Sequence, residues 1–407
     1  MSLQGNVLVG QSGGPTTVIN SSLAGIIETA LNNPSIDKIY GSRNGIQGVL
    51  ENNFVNLSDI FKENRDQIQL LKNTPSMYLG SCRYKLSKLE QDETDYIKIF
   101  EVFSSYHIKY FFYIGGNDSM DTVKKLSEYA KKIQYDIQII GIPKTIDNDL
   151  AHIDHTPGFG SAAKYIAASV LEIAHDTYIY DTKSVIIIEI MGRNAGWLTA
   201  AAALARNEYS EAPHLIYLPE KPFGTAQFIQ DVKEQLAIRK QVVIAVSEGI
   251  KDPAGNYISA GSSQVDQFGH VMLSGTGKYL ESLVQNTIGC KVRSVELNVL
   301  QRCASHISSG TDVEEAFCLG VKGVEAALEG ATGEMVLLNR ISNQPYSVEY
   351  GTIPIQQVAN VEKQIPKEWI TPNGNDIMSP LLDYLRPLIL GERNVQYKNG
   401  IPDYLCL

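Results

Sequence analysis

Two polar loops, each directly after an apolar run, carry the residues best suited to chemistry. Lys144, Asp147 and Asp149 follow one run, and Asn117 and Asp118 follow another. A carboxylate at a rigid strand end can accept the proton of a sugar hydroxyl, and a lysine beside it can stabilise charge on a transferring phosphoryl group. Carboxylates that face phosphates imply magnesium. The loops therefore predict phosphoryl transfer with Mg²⁺ as the cofactor.

A third loop predicts a phosphate cradle. Gln11-Ser12-Gly13-Gly14-Pro15 follows the apolar run 7–9 and precedes a helical pattern. Backbone N–H groups of a glycine loop at a helix N-terminus can bind phosphate.

Each of these residues also has a simpler interpretation. A lone Asp147 in a turn is more often a helix cap, and Asp118 could equally cap a helix. Lys144 could pair with a neighbouring carboxylate at the surface, which is worth ~0–1 kcal/mol. The density of charge after a purely apolar strand favours function at the Lys144–Asp149 loop.

The second half of the chain repeats the pattern of a strand followed by polar side chains. Met191-Gly192-Arg193 follows one apolar run, and Glu248 follows another. Arg193 offers a planar donor fork for an anion, and Glu248 could hold a sugar hydroxyl. Arg293 and Arg302 are candidates for a substrate phosphate, with an ordinary surface ion pair as the alternative.

These loops need a parallel sheet to bring them together, because the carboxyl ends of parallel strands meet at one edge. Apolar runs alternate with helical patterns over most of the chain, which predicts an α/β fold. The predicted strands are Asn6–Val9, Lys38–Gly41, Lys109–Ile114, Asp136–Ile142, Ser184–Ile190, His214–Leu218, Gln241–Ser247 and Lys291–Leu297. The predicted helices are Thr17–Leu31, Thr94–Tyr106, Ser119–Lys132, Gly160–Ala174, Ala195–Ala205, Thr225–Arg239, Thr276–Thr287 and Val313–Leu328.

The rest of the chain is less regular. Residues 52–92 mix helical and turn signals and are predicted to be a partly irregular insertion. The tail from Ser342 is rich in proline and is predicted to wrap the body as loops and short helices. Two α/β halves are expected to join near Thr156-Pro157-Gly158.

Size and composition restrict the class of protein. The 407 residues suffice for two domains, and a net charge of −10 without long like-charge blocks gives no support for nucleic-acid or membrane-surface binding. The sequence shows neither a signal peptide nor a bilayer-spanning run, which predicts a cytoplasmic protein. Five scattered cysteines indicate reduced thiols.

The motifs together resemble the phosphofructokinases over roughly residues 5–330. This resemblance implies two similar Rossmann-like three-layer α/β/α domains with mostly parallel sheets and an active site in the cleft between them. It implies an N-terminal domain of residues 1–157 with about 301–350, and a second domain of residues 158–300 with the tail of about 351–407. The motifs that carry the resemblance are Gly13-Gly14, Gly80-Ser81-Cys82-Arg83, Gly115-Gly116-Asn117-Asp118-Ser119, Pro143-Lys144-Thr145-Ile146-Asp147-Asn148-Asp149, Met191-Gly192-Arg193, Ser247-Glu248-Gly249 and Gln301-Arg302.

The resemblance also implies roles for particular residues. Asp147, Lys144, Asp118 and Arg193 would be catalytic, and Asn117 and Asp149 would bind Mg²⁺. The phosphoryl donor would be bound by Gly13, Gly14, Arg83, Gly116, Lys144 and Thr145. The acceptor, fructose 6-phosphate, would be bound by Thr145, Ile146, Asp147, Met191, Gly192, Arg193, Glu248, Arg293 and Arg302.

Two positions predict which donor is used. Members of the family that use ATP carry glycine where this chain has Asp118 and Lys144, and members that use pyrophosphate carry Asp and Lys. A carboxylate at the first position places negative charge where the α-phosphate of ATP would lie, and the lysine compensates the charge of pyrophosphate. The resemblance therefore implies reversible transfer from pyrophosphate, as part of glycolysis and gluconeogenesis. The alternatives are an ATP-dependent enzyme and a non-catalytic regulatory subunit that binds sugar phosphates.

The chain departs from the family pattern at four positions. Asn117 replaces a magnesium-binding Asp found in many relatives, and Val299 replaces a substrate-contacting His of ATP-using relatives. Ala24 and Glu28 replace two arginines that bind a nucleotide effector in bacterial ATP-using relatives, which argues against that form of regulation.

Relatives complete the sugar-phosphate site with basic residues from a neighbouring subunit, and Arg293 aligns with one of these residues. We therefore expect a homo-oligomer, dimer or tetramer.

Overall fold

A computed structural model of the chain describes residues 3–258, 273, 275–393 and 395–407. Within these residues the strands form sheets of seven and four strands and a small two-stranded ribbon. The strands are β1 (Gly5–Gln11), β2 (Ile36–Ser42), β3 (Phe54–Asn56), β4 (Ile108–Gly115), β5 (Gln138–Pro143), β6 (Ser184–Ile190), β7 (Leu215–Tyr217), β8 (Gln241–Ser247), β9 (Lys291–Glu296), β10 (Glu334–Asn343), β11 (Tyr346–Pro354), β12 (Tyr397–Lys398) and β13 (Ile401–Pro402). The α-helices are α1 (Ile19–Leu31), α2 (Gly45–Leu50), α3 (Leu57–Phe61), α4 (Asp66–Asn73), α5 (Thr94–Ser105), α6 (Asn117–Lys132), α7 (Phe159–Tyr178), α8 (Trp197–Ala201), α9 (Thr225–Ile238), α10 (Thr276–Ile288), α11 (Gly310–Leu328) and α12 (Ser379–Leu385).

The larger sheet has the strand order β11-β10-β5-β4-β1-β2-β3. The five inner strands run parallel, and β3 and β11 pair antiparallel at the two edges. The three central strands β1, β4 and β5 are almost entirely buried because helices cover both faces of a parallel sheet. Helix α6 packs against β4 and β5, and α11 packs against β5 and β10.

The smaller sheet has the order β7-β8-β6-β9, and all of its strands are parallel. Side chains of β6 alternate between two cores. Ile186, Ile188 and Ile190 pack with residues of α7 and α8, whereas Val185 and Ile187 pack with residues of α9 and α10. This alternation follows from the two-residue period of a strand and makes the unit a three-layer α/β/α arrangement.

The predicted fold class is confirmed, because both sheets are mostly parallel and covered by helices. The larger sheet takes its strands from residues 5–143 and 334–354, and the smaller sheet takes its strands from residues 184–296. The two units are similar in layering but differ in the number of strands. The domain boundaries inferred from the sequence stay a prediction.

The prediction for the tail was wrong in its first part. The hairpin of β10 and β11 pairs residues 334–343 with residues 346–354, so a strand occupies residues 346–354, where loops and short helices were expected from Ser342 onward. Tyr346, Val348 and Tyr350 do alternate with polar residues, but nearby glycine and proline obscured this period. Beyond Pro354 the tail does consist of short helical turns, α12 and loops.

None of the helices in the described part of the chain has both the length and the hydropathy that crossing a bilayer requires. All five cysteines are free thiols.

A buried ionic network fastens the loop after β5 to the C-terminal half. His155 is 1% exposed, and its two ring nitrogens lie 2.7 Å from Asp154 Oδ1 and 2.6 Å from Glu315 Oε2. Arg340 of β10 lies 2.9 Å from Asp154, and the Tyr346 hydroxyl donates to Glu315 at 2.6 Å. Burial alone would lower the pKa of His155, but Glu315 and Asp154 outweigh it and raise the pKa to about 9.

This network predicts a pH-dependent stability. The folded-state pKa of His155 lies above the unfolded value of 6.5, so its stabilisation is complete below that pH and is lost as pH rises through about 9. We expect the free energy of unfolding of the wild type to fall relative to that of His155→Gln between about pH 6 and about pH 9, by an amount on the order of 3 kcal/mol. Denaturant unfolding of both proteins measures the difference, and parallel curves would contradict a protonated His155.

Candidate active site

The polar loops of the larger sheet meet at one edge, as the parallel topology requires. Strands β1, β4 and β5 are neighbours, with Gln11 opposite Ile114 and Gly115 opposite Pro143. The loops that follow them, beginning near Ser12, Gly116 and Lys144, therefore lie side by side. In the smaller sheet β8, β6 and β9 are also parallel neighbours, so their following loops share an edge.

Both edges face one cavity of about 910 Å³. Its size lies within the range of small-molecule sites. Fifteen of the residues predicted for the site line it, which are Gly13, Gly14, Arg83, Gly116, Asn117, Asp118, Lys144, Thr145, Ile146, Asp147, Asp149, Met191, Arg193, Glu248 and Arg302. The placement brings these residues together, while their individual roles stay predictions.

Gly192 and Arg293 do not line the cavity. Gly192 is directly behind it, and its N–H donates to Glu248 Oε1 at 3.3 Å. Arg293 lies in β9, and its side chain is exposed outside the cavity. A contact of Arg293 with a substrate of the same chain therefore has no support in the structure.

The glycine loop after β1 leaves room for two basic side chains. The Lys144 Nζ donates to Gly14 O at 2.6 Å. A Cβ added at Gly13 would lie 3.4 Å from this Nζ, and a Cβ at Gly14 would lie 3.4 Å from Arg302 Nη1. Gly13 also has φ of +79°, which glycine adopts without strain. Because Gly13 and Gly14 lack side chains, Lys144 Nζ and Arg302 Nη1 can lie close to the backbone of this loop.

Lys144 is a buried cation at the centre of the site. Its side chain is 2% exposed, and burial lowers its pKa to about 8 against the opposing charges of Asp147 and Asp149. A buried lysine that keeps only one hydrogen bond to a carbonyl has donors left for a ligand. The surface ion-pair interpretation of Lys144 is thus wrong, because the residue is buried.

Asp147 and Asp149 lie in the same loop with Asn148 between them. Burial raises the pKa of Asp147, although Arg193, Lys144 and Arg302 oppose the shift. Burial and the charge of Asp147 raise the pKa of Asp149 to about 7. Carboxyl groups with raised pKa values in a cleft are suited to proton transfer near neutral pH.

The metal prediction concerns Asp149 and Asn117, and the structure treats them differently. Asp149 Oδ1 is buried and has no hydrogen-bond partner, so this oxygen is available to a ligand. The Asn117 amide is engaged with the tail, because its Oδ1 accepts from Asn360 N–H at 2.7 Å and its Nδ2 donates to Val361 O at 3.1 Å. The prediction that Asn117 binds a metal stays a prediction. The two hydrogen bonds to the tail give a structural reason for an amide at this position.

Asp118 lies in the first turn of α6 and lines the cavity. Its carboxylate lies 3.9 Å from Lys85 Nζ, and about a third of its side chain is exposed. The helix N-terminus favours a negative charge at this position. A carboxylate here adds volume and negative charge to the cavity wall.

The smaller sheet supplies an arginine and a carboxyl group. Arg193 Nε is buried without a hydrogen-bond partner, so its donor is available to a ligand. Burial raises the pKa of Glu248 to about 7, against the hydrogen bond from Gly192. Val299, which replaces a histidine of ATP-using relatives, also lines the cavity.

Sequence reasoning missed part of the cavity wall. Asn360 and Glu362 come from the tail, and Lys85 comes from the irregular segment before α5. Neither segment forms a strand or helix at these positions. The signal that revealed the other residues, a polar group after an apolar run, is therefore missing here.

Comparison with known proteins identifies the family. The model of the Phosphofructokinase family matches residues 6–327. The pyrophosphate–fructose 6-phosphate 1-phosphotransferase of Methylococcus capsulatus is 42% identical over 405 residues, which cover 99% of this chain and 96% of the relative. The protein of the same name from Xanthomonas campestris is 41% identical over 406 residues, which cover 99% of this chain and 96% of the relative.

A solved structure shows the same fold. The crystal structure of a pyrophosphate-dependent phosphofructokinase from Nitrosospira multiformis has a TM-score of 0.89 at 40% identity, and the match covers 98% of this chain and 95% of that one. The likeness extends over both sheets and the tail, well past the residues that the family model matches. On these grounds, together with the loops that converge on one cavity, the chain belongs to the phosphofructokinase family.

Proposed function

We propose that this chain transfers a phosphoryl group from pyrophosphate to the 1-hydroxyl of fructose 6-phosphate, yielding phosphate and fructose 1,6-bisphosphate. The observation that carries the proposal is the joint presence of Asp118 and Lys144 in the cavity. The names of relatives that match nearly the whole chain agree with it. The reaction would be reversible because transfer from pyrophosphate has a smaller driving force than transfer from ATP.

On the donor side the chain provides positive charge and backbone donors. The loop at Gly13 and Gly14 lies between Lys144 and Arg302. Phosphoryl transfer spreads charge over the equatorial oxygens, and preorganised cations stabilise that charge most where water is excluded. Lys144 would therefore bind the pyrophosphate and stabilise the transition state. Arg302, which the resemblance assigns to fructose 6-phosphate, lies beside the same glycine loop, and we propose that it contacts the donor as well.

On the acceptor side Asp147 would take the proton of the sugar hydroxyl. Its raised pKa makes it a stronger base than an exposed aspartate, and the charges of Arg193 and Lys144 favour its ionised form. Arg193 and Glu248 would hold the sugar phosphate from the opposite wall of the cleft. The released proton would leave on the phosphate product or to solvent.

Mg²⁺ fits the residues present. Mg²⁺ is commonly held by one or two carboxylates together with substrate phosphates and water, and the free Oδ1 of Asp149 next to Asp147 offers this set. Among the described residues no group of three or more His, Cys, Asp or Glu side chains could hold a metal alone, so the remaining ligands would come from the donor. When bound, the ion would neutralise charge on the pyrophosphate.

A donor assay tests the proposed function. We expect purified protein to phosphorylate fructose 6-phosphate with pyrophosphate and Mg²⁺, and to show little turnover with ATP. The inactive variant Asp147→Ser, prepared in the same way, controls for a contaminating host enzyme. Turnover with ATP equal to or above that with pyrophosphate would reject this donor and support the ATP-dependent alternative.

We further propose that the enzyme acts as a homo-oligomer with a shared site. The support is that Arg293 is exposed and outside the cavity of its own chain, as expected of a residue that serves a neighbour. Mixing Asp147→Ser chains with Arg293→Ala chains should restore part of the activity, since one site in each hybrid dimer keeps both residues. An active monomer in sedimentation, or no regain in verified hybrids, would contradict sharing.

The cytoplasm is the compartment we propose for this reaction. Support comes from the five free thiols, which suit a reducing environment. A glycolytic sugar phosphate as substrate points to the same compartment.

A further inference from the structure

The tail contributes a segment to the wall of the active site. Residues 360–364, here called the bridging segment, lie beyond the residues that the family model matches. Asn360 and Glu362 of this segment line the cavity. The segment binds Asn117 on the side of the larger sheet, and Gln364 Nε2 donates to Asn194 O at 3.2 Å on the side of the smaller sheet.

Lys363 is the residue of the bridging segment with the most polar contacts. Its ammonium group donates to Asn148 Oδ1 at 3.2 Å, to Ile153 O at 3.1 Å and to Asp154 O at 2.7 Å. These three bonds use all three donors of an ammonium group. Lys363 does not line the cavity, so it cannot serve as a substrate ligand there. Its contacts are directed to the back of the catalytic loop.

The backbone of Lys363 extends these contacts. Its N–H donates to Asp149 O at 2.7 Å, and its carbonyl accepts from Trp197 Nε1 of α8 at 3.2 Å. One residue of the tail therefore joins the loop that carries the two carboxylates to the smaller sheet's helical layer. The position of that loop depends on the tail as well as on β5.

Asn148 is the point where the tail holds the catalytic loop. It is fully buried and has φ of +54°, a left-handed conformation that Asn tolerates. Its Oδ1 accepts from Lys363 and from Thr156 N–H at 3.1 Å, and its Nδ2 donates to the Tyr384 hydroxyl at 2.9 Å. Tyr384 in turn donates to Asp154 O at 2.7 Å. Asn148 is thus fixed behind the loop while its two neighbours line the cavity.

We propose that Lys363 and Tyr384 are positioning residues for phosphoryl transfer, which fix Asn148 and thereby hold Asp147 and Asp149 in their reactive places. This inference rests on the proposed function, because it assigns the two carboxylates to that reaction. A displacement of a reacting group by about 1 Å can cost about 10²-fold in rate. Loss of the hydrogen bonds that join Lys363 and Tyr384 to Asn148 should therefore reduce turnover, although no substrate contact is removed.

The kinetic pattern separates positioning from a merely structural role. If Lys363 and Tyr384 act through the carboxylates, their loss lowers kcat, while the KM for fructose 6-phosphate stays near the wild-type value. If they only stabilise the fold, the unfolding midpoint falls and kcat per folded enzyme is unchanged.

The experiment uses two variants and two matched controls in the full chain, with pyrophosphate, fructose 6-phosphate and Mg²⁺. Lys363→Met should lower kcat by about 10–100-fold and Tyr384→Phe by about 3–10-fold. Lys164→Met removes an ammonium that also fastens the tail, at 2.8 Å from Gly391 O and 2.9 Å from Glu392. Tyr346→Phe removes a half-buried tail hydroxyl that binds Glu315 instead of Asn148. Both controls should keep kcat within about twofold of the wild type.

The outcomes decide the proposal. A kcat within twofold of the wild type for folded Lys363→Met or Tyr384→Phe would overturn it, and so would equal losses in the two controls. If Lys363→Met does not fold, Tyr384→Phe, which deletes one oxygen, decides alone. A wild type without pyrophosphate activity would refute the proposed function itself, and that result is distinct from an active wild type whose variants are unimpaired.

Discussion

Replacing Asp147 by Ser is expected to lower turnover by roughly 10²–10⁴-fold with little change in the KM for fructose 6-phosphate. The loop keeps its shape, because the backbone N–H of Asp147 donates to Thr145 Oγ1 at 3.1 Å and Asn148 is held by other residues. What disappears is the proton acceptor. Serine cannot accept the proton near neutral pH, so the sugar hydroxyl stays a poor nucleophile.

The matched control for Asp147→Ser is Asp231→Ser. Asp231 is also a buried carboxylate and accepts a hydrogen bond from the Tyr217 hydroxyl at 2.8 Å, but it does not line the cavity. Steady-state kinetics with pyrophosphate, together with circular dichroism to verify folding, gives the comparison. An Asp147→Ser protein that retains most of its turnover would show that Asp147 is structural.

Replacing Lys144 by Gly is expected to reduce pyrophosphate turnover by about 10²–10³-fold, comparable to the loss of one preorganised donor at a developing charge. Lys144 is buried against Gly14 O at 2.6 Å, so its charge is fixed before the donor binds. Lys144→Met is the control for volume, because it keeps most of the side chain and removes only the ammonium. Equal losses in both variants would assign the effect to charge.

Asp118→Gly should act differently from Lys144→Gly. The Asp118 carboxylate takes up space and adds negative charge in the cavity, whereas it does not stabilise the transferring group. We expect a smaller loss with pyrophosphate and an ATP affinity that becomes measurable by titration calorimetry. The double change Asp118→Gly with Lys144→Gly should abolish most pyrophosphate activity. ATP binding as weak in Asp118→Gly as in the wild type would mean that this carboxylate alone does not determine the donor. Normal pyrophosphate turnover in Lys144→Gly would remove the role assigned to the lysine.

The sequence predicted the sheet-end residues well because parallel strands impose a simple rule. Ser184–Ile190 and Gln241–Ser247 were predicted with the bounds that the structure has, and the polar residues after them, Arg193 and Glu248, reach the cavity. Fully buried strands are continuous apolar runs, and a polar group directly after such a run lies at the carboxyl edge. In these strands the local sequence pattern is therefore enough to predict where the following polar residues lie in the fold.

The residues that were missed have no pattern in their neighbouring sequence that would predict their position in the fold. Lys363 and Glu362 lie in a segment without a helix or strand, and their importance comes from contacts with residues more than two hundred positions earlier in the chain. Strand β11 was missed because it lies at a sheet edge, where half of its side chains face solvent and the apolar signal is weak. Long-range contacts of this kind become visible only in the folded chain.

The place of β10 in the larger sheet has a consequence for how the protein is made on the ribosome. Strand β5 ends at Pro143, but its neighbour β10 begins only at Glu334, after the whole smaller sheet has been synthesised. At about 5–20 residues per second, the nascent chain exposes the edge of β5 for roughly 10–40 s before its partner emerges. An unpaired strand edge invites pairing with other chains, so this interval is when the polypeptide most needs a chaperone. The enzyme's first sheet is among the last parts of the molecule to be completed.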